Sequence, residues 1–203
     1  MRLFVGLPLE ETDAAELDNR FPESLVPREL WRRVPARNYH CTLQFLGEID
    51  AADSERYADH LDAVASEPEF RDAARAMQAD PVSPVAITAF PAPSRPRVLI
   101  LTLTDPEGAL AALSRTVGKV LAPLGFRPES RPFKPHITIG YTRNRVTDPV
   151  AAGSLAQISS GVSLPDRLVF PVLRLVHSTL GPGGARYQSL RDYALEAEPG
   201  KAR

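Results

Sequence analysis

Apolar residues recur at two periods along this chain, and the switching between them predicts interspersed strands and helices. Residues 2–7, Arg2-Leu3-Phe4-Val5-Gly6-Leu7, are read as a buried first strand. Thr12 is placed to cap a helix in which Ala14, Leu17 and Phe21 recur at helical spacing. The segment Arg28 to Asn38 carries Trp31, Pro35 and the arginines Arg28, Arg32, Arg33 and Arg37, an irregular basic approach to a strand running from His40 to Leu46. Ser54 to Val64 places Tyr57, Leu61 and Val64 on one helical side, and a second amphipathic stretch follows from Glu69 to Met77. Residues 85–90 and 98–103 are strand-like, and the Pro/Ser/Arg stretch between them predicts an antiparallel hairpin.

The second half repeats the theme. Asp105-Pro106-Glu107 predicts a helix start with Pro at the first position, and Leu110, Leu113, Val117, Val120 and Leu121 form its buried stripe, to about Ala122. The loop Phe126 to Pro135 is basic and proline-containing, and leads into a strand from His136 to Tyr141. Residues 148–165 are rich in Pro, Gly, Ser and Ala and predict a connection, with a helical turn or two around Ala151 to Ile158. Strands from Arg167 to Val176 and Tyr187 to Ala194 flank the turn Gly181-Pro182-Gly183-Gly184, as expected of a closing hairpin. Hairpins mixed with helices favour an α+β fold over a doubly wound sheet.

Composition narrows the classes. With 203 residues and 43% hydrophobic side chains, the chain can bury a core as one domain or two joined lobes. The 24 basic and 25 acidic residues nearly cancel, so attraction for nucleic acid must come from a local basic patch. The single cysteine, Cys41, excludes an internal disulfide framework and fits a reducing, cytoplasmic setting. The apolar N-terminal run is too short for a signal peptide, and nothing approaches the ~20 apolar residues of a membrane span.

Two segments align in register: His40-Cys41-Thr42-Leu43-Gln44-Phe45 and His136-Ile137-Thr138-Ile139-Gly140-Tyr141. In an ideal strand His40 and Thr42 share one face, with Cys41, Leu43 and Phe45 on the other; His136 and Thr138 are set likewise against Ile137, Ile139 and Tyr141. Each motif then anchors in a core and offers an imidazole and a hydroxyl outside it. The pattern His-x-Thr alone is not specific, because His177-Ser178-Thr179 carries it too. His40 and His136 differ in opening a strand after a basic, proline-containing loop, whereas His177 ends an apolar strand. His60, between Asp59 and Asp62, reads as a solvated helix residue, and Trp31 as a packing anchor rather than a stacking platform.

Two histidines facing one pocket suit a phosphodiester: a neutral imidazole can take a proton from water while an imidazolium protonates the leaving oxygen. Their ordinary pKa of ~6.5 makes both forms available near neutrality. Paired threonine hydroxyls can hold the non-bridging phosphate oxygens. That chemistry requires no metal and no cofactor, and acidic residues do not cluster near either motif.

On these residues the chain resembles the two-histidine (2H) phosphoesterase superfamily, and within it the RNA 2',3'-cyclic phosphodiesterases described as 2'-5' RNA ligase-like. The likeness spans nearly the whole chain: Met1 to Val5, Tyr39 to Gly47, Arg97-Val98-Leu99, Arg131 to Ile139, and Leu180 to Tyr187. It implies one bilobal α+β domain over residues 1–203, pseudo-two-fold symmetric, with two antiparallel sheets lining a central cleft and helices outside. It implies hydrolysis of an RNA-terminal 2',3'-cyclic phosphate to a 2'-phosphate, with weak reverse 2'-5' ligation, by a monomer acting on RNA ends or nucleotides.

Carried over by motif position, His40 is the general acid, His136 the general base, and Thr42 and Thr138 hold the phosphate. The resemblance also points to Phe45 as a stacking surface for the nucleobase, which strict alternation would turn away unless the strand bends. The family often has Arg where Tyr141 stands; Arg131 or Arg143 is the expected substitute for its charge. Cys41 replaces a branched aliphatic residue and is expected to be buried and inert. The alternatives are a non-catalytic module binding RNA ends or nucleotides, and a related two-histidine enzyme acting on another cyclic phosphate or 2'-5' linkage.

Overall fold

The strand frame is built from residues that alternate between a helix-covered face and an open one. A computed structural model describes residues 1–181 and 184–195. In β1 (Arg2–Pro8), Leu3, Val5 and Leu7 are fully buried on the covered face, leaving Phe4, Gly6 and Pro8 on the other. Next come α1 (Glu11–Asn19), β2 (Trp31–Arg33), β3 (His40–Glu48), α2 (Ser54–Leu61) and α3 (Pro68–Ala79). The hairpin β4 (Pro84–Ala92) and β5 (Arg95–Leu103) precedes α4 (Ala109–Leu121) and β6 (His136–Thr142). After α5 (Asp148–Gly161), strands β7 (Val172–Gly181) and β8 (Gly184–Ala194) complete the sheet.

The α+β class is as expected, and the two expected sheets are joined into one. The order is β4-β5-β6-β3-β1-β7-β8, with β2 also paired to β6, and neighbouring strands are antiparallel. Strands β3 and β6 meet through the single residue pair Cys41–Ile137. On one side of that junction lie β3, β1 and β7, and on the other β6, β5 and β4, so the two halves match strand for strand. Helix α4 packs on β3 and α5 on β4 and β5. One apolar cluster runs beneath both halves, including Leu3, Val5, Leu43, Leu101, Leu113, Val117, Ile137 and Ile139.

Several elements depart from the sequence expectation for identifiable reasons. Helix α1 is capped by the Glu10 carboxylate, which accepts from the Thr12 amide at 2.9 Å, rather than by Thr12 itself. Helix α4 starts at Ala109 rather than Pro106, because Glu107 and Gly108 adopt positive φ (48° and 72°) and interrupt it. Asp105 still caps it from outside, accepting from the amides of Leu110 (2.6 Å) and Ala111 (3.2 Å). The connection expected after residue 148 is instead the 14-residue helix α5, opened by Pro149 and buried along Ala151, Ser154, Leu155 and Ile158. Its small, weakly polar residues blur the helical period. Strand β7 begins only at Val172, since Leu168 donates its amide to Val82 rather than to a sheet neighbour. Pro182 and Gly183 of the closing turn lie outside the described residues.

Trp31 is fully buried, and its Nε1 donates to Ser154 Oγ at 3.0 Å, pinning β2 to α5. Trp31→Ala is therefore expected to cost about 3–5 kcal/mol. Urea unfolding checks this: the midpoint should fall while the denaturant slope stays near that of the parent protein.

Candidate active site

The junction pair fixes the relation between the two motifs. Cys41 and Ile137 stand opposite each other in antiparallel strands and both point into the core, exposed by 1% and 0%. The flanking positions therefore run in opposite senses: extending the register by one residue sets His40 towards Thr138 and Thr42 towards His136. The two imidazoles lie diagonally across a local two-fold axis, on the face away from the helices. Because β3 and β6 pair at that position alone, the strands part on either side and the histidines border the opening.

A bulge in each motif strand changes which residues join them. Thr42 pairs with Gly6 but Gln44 with Val5, so β3 carries one extra residue there; Phe45 then pairs with Phe4. Thr138 pairs with Ile100 but Gly140 with Leu99, an extra residue at the same place in the second motif, and Tyr141 pairs with Val98. One added residue reverses the phase of side-chain alternation. Phe45 and Tyr141 thus return to the histidine face, correcting the alternation expected from an ideal strand. Phe45 is 71% exposed with its ring 6.2 Å from that of Phe4. Gln44 is turned to the helix side, donating to Ser114 Oγ of α4 at 3.0 Å.

Each imidazole is oriented by its own chain. His40 Nδ1 lies 2.7 Å from the Asn38 carbonyl, and His136 Nδ1 lies 2.7 Å from the Lys134 carbonyl. A carbonyl can only accept, so Nδ1 carries the proton and Nε2 is left for the cleft. Nε2 of His40 is 3.0 Å from Thr42 Oγ1. The His40 ring stacks on Phe4 (4.7 Å between centroids) and meets Tyr187 edge-on at 5.3 Å; His136 meets Phe90 edge-on at 5.1 Å. Gly6 makes room for the first of these rings: a Cβ there would lie 3.0 Å from the Cys41 carbonyl oxygen and 3.3 Å from His40 Cδ2.

Burial shapes the electrostatics. It pushes His40 down to about 4; the Asn38 carbonyl opposes this, and the nearby His136 adds to it. Burial also pushes the Cys41 thiol up to about 12, as expected of an inert, packed cysteine. Tyr187 is raised to about 12 by burial and then by Tyr141, so it keeps its proton and stays a neutral donor.

The cations of the two basic loops are mostly engaged away from the motifs. Arg131 pairs with its neighbour Glu129, and Arg143 donates to the Arg28 carbonyl, so neither is turned to the motifs as a substitute charge. Arg28 is held by Glu23 at 2.8 Å, and Arg33 by Asp18. Arg32, which sequence reasoning left among the loop residues, stands directly opposite Tyr141 in β2 and so shares the histidine face. Its guanidinium carbon sits 4.8 Å from the Tyr141 ring centroid, and no carboxylate lies within 4 Å of it among the described residues. Phe4, Gly6, Arg32 and Tyr187 are the site residues the sequence did not reveal; only a register map could have found them. His177 pairs with Leu3 on the opposite, helix-covered side, which separates it from the other two His-x-Thr motifs. Among the described residues no group of three or more His, Cys, Asp and Glu forms a metal-binding cluster.

A sheet whose matched halves each bring a His-x-Thr strand to a common face is that of a two-histidine phosphoesterase. The chain belongs to the 2'-5' RNA ligase superfamily, whose family model matches residues 16–160. It is 32% identical over 198 residues to the RNA 2',3'-cyclic phosphodiesterase of Archaeoglobus fulgidus, spanning 94% of this chain and 98% of that protein. Among solved structures, a Thermus thermophilus protein matches with a TM-score of 0.65 at 25% identity, over 96% of this chain and 98% of that one. Escherichia coli LigT, complexed with 3'-AMP, shares the fold with a TM-score of 0.67 at 23% identity, over 97% and 98% of the two chains.

The depressed His40 pKa has a defined consequence for stability. Between pH 6.5 and about 4 the unfolded chain binds a proton at this position that the folded chain refuses, so stability falls as pH falls through that window. His40→Gln is expected to flatten the loss relative to the parent, read as the difference between their melting temperatures at pH 7 and pH 4.5. In the same folded protein, Cys41 should react with a thiol reagent only after denaturant is added.

Proposed function

We propose that this chain hydrolyses RNA-terminal 2',3'-cyclic phosphates to 2'-phosphates, using His40 and His136 as a general acid–base pair within one bilobal unit. The observation that supports it most directly is the diagonal register about Cys41–Ile137, which offers one imidazole and one hydroxyl from each half to a shared phosphate. His136 Nε2 takes a proton from water as its oxygen attacks phosphorus. His40 Nε2–H gives a proton to the departing 3'-oxygen as the P–O3' bond breaks, leaving the phosphate on O2'. Thr42 and Thr138 hold the non-bridging oxygens, whose charge grows in the transition state.

His40 is neutral in the empty site at pH 7, so its acid role depends on substrate. An anionic phosphate bound against Nε2 favours the imidazolium and counters the burial that disfavours it. Arg32 supplies further positive charge on the same face, held against the Tyr141 ring, while Arg131 and Arg143 are engaged elsewhere. Phe45, highly exposed beside Phe4, offers a stacking surface for the terminal base. With a 5'-hydroxyl in place of water as the nucleophile, the same forward step gives weak 2'-5' ligation: the 5'-oxygen joins phosphorus as the P–O3' bond breaks, and its proton passes to His136.

The test is turnover of adenosine 2',3'-cyclic phosphate with EDTA present and identification of the product. A 2'-phosphate is expected, with kcat lowered about 10²–10⁴-fold by either His40→Ala or His136→Ala. Thr42→Ala and Thr138→Ala should each cost roughly tenfold or more, and Arg32→Ala should lower kcat with partial recovery in Arg32→Lys. A 3'-phosphate product would overturn the assignment of the leaving oxygen. Tight binding without turnover would instead identify a nucleotide-binding module.

A further inference from the structure

His40 also lines a pocket of about 270 Å³ on the sheet face, which His136 does not border and whose arginines the acid–base reading leaves unused. Its floor is apolar and aromatic: Phe4, Pro8, Val176 and Tyr187. Its rim holds three arginines, Arg37, Arg174 and Arg186. Arg174 is neutralised by Asp192, which accepts from Nε at 2.7 Å and Nη2 at 2.6 Å, so it belongs to the wall. Arg37 and Arg186 are exposed, and neither has a carboxylate within 4 Å among the described residues.

A single hydrogen bond brings these two charges to one rim. Asn38 Nδ2 donates to the Ala185 carbonyl at 2.8 Å, and Arg37 and Arg186 are the chain neighbours of that bonded pair. The Asn38 carbonyl also orients His40, so the pocket and the imidazole share a wall. Two uncompensated guanidinium groups above an aromatic floor match a phosphate joined to a planar base. The reacting phosphate is already served by His40, His136, Thr42, Thr138 and Arg32. The pocket therefore offers cations for a second phosphate, next to the first and on one side of it only.

We infer that this pocket binds the internucleotide phosphate and penultimate nucleoside of the RNA 3' end, with Arg37 and Arg186 as its phosphate contacts. The inference rests on the two-histidine reading above. A strand bound this way extends over β1, β7 and β8 and gives the site a polarity that its two-fold framework lacks. The volume, at the small end of ligand sites, admits one nucleotide and no duplex.

The experiment compares three substrates with 2',3'-cyclic ends: adenosine, 5'-phosphoadenosine, and the dinucleotide ApA with a free 5'-hydroxyl. The parent protein should show kcat/KM for the dinucleotide about tenfold or more above that for the nucleoside, carried by KM, with the 5'-phosphorylated nucleoside in between. The double variant Arg37→Ala/Arg186→Ala should bring the dinucleotide down to the nucleoside's value, leave the nucleoside unchanged, and weaken the salt dependence of dinucleotide KM. Equal kcat/KM for the three substrates in the parent would overturn the subsite while leaving the hydrolase reading intact, as would a variant that slows all three alike. Calorimetric titration with the 2'-phosphorylated dinucleotide and with adenosine 2'-monophosphate separates the two ideas when no turnover occurs. Tighter dinucleotide binding that depends on Arg37 and Arg186 upholds the subsite, and equal binding overturns it.

Discussion

The arrangement depends on one contact between strands, the Cys41–Ile137 pair. Five other strands, β1, β4, β5, β7 and β8, are tied into the sheet by long ladders, but strand pairing between β3 and β6 runs through this position alone. Because the pair is antiparallel and buried, it fixes three things together: the depth of both motifs, the opposed directions in which they run, and the diagonal placement of His40 and His136. A one-residue slip of either strand at this junction would turn that strand's histidine into the core and its apolar residue into the cleft. Cys41 suits the position because it is small and packed, with its thiol kept protonated by burial.

The bulges add what a flat ladder would not. Each motif strand carries one extra residue just after its threonine, and the reversal of alternation brings the sixth motif residue back to the face of the first. In β3 this delivers Phe45; in β6 it delivers Tyr141 and, through β2, Arg32. The two halves therefore use the same backbone device to present different chemistry, an open aromatic surface on one side and a tyrosine-supported guanidinium on the other. The site is symmetric in its histidines and threonines and asymmetric in nearly everything around them.

Enclosure gives His40 its particular character. Phe4 beneath it, Tyr187 at its edge and Gly6 at its side pack around the ring, and burial then disfavours its charged form. On the proposed mechanism, an imidazole kept neutral while the site is empty becomes a proton donor when an anion arrives to compensate its charge. Phosphate binding and readiness for acid catalysis would then be linked through electrostatics in one residue.

The sequence alone revealed the repeated motif, because strand periodicity, the basic loops and the matching positions of histidine and threonine are local properties of the chain. It also revealed the α+β mixture, through apolar spacings that switch between strand and helix. It misplaced Phe45 and Tyr141, since a bulge is defined by two strands together and one strand's residues do not announce it. Helix α5 was obscured because its small residues carry little periodic contrast. The choice among four arginines in the approach to β3 was invisible as well: Glu23 and Asp18 claim two of them, Tyr141 supports the third, and Arg37 remains at the pocket rim. Local chemistry was written in residue order, whereas the facing of side chains, the pairing of charges and the burial that lowers the His40 pKa arise from segments far apart in the chain. Those were decided only when the tertiary structure brought the segments together.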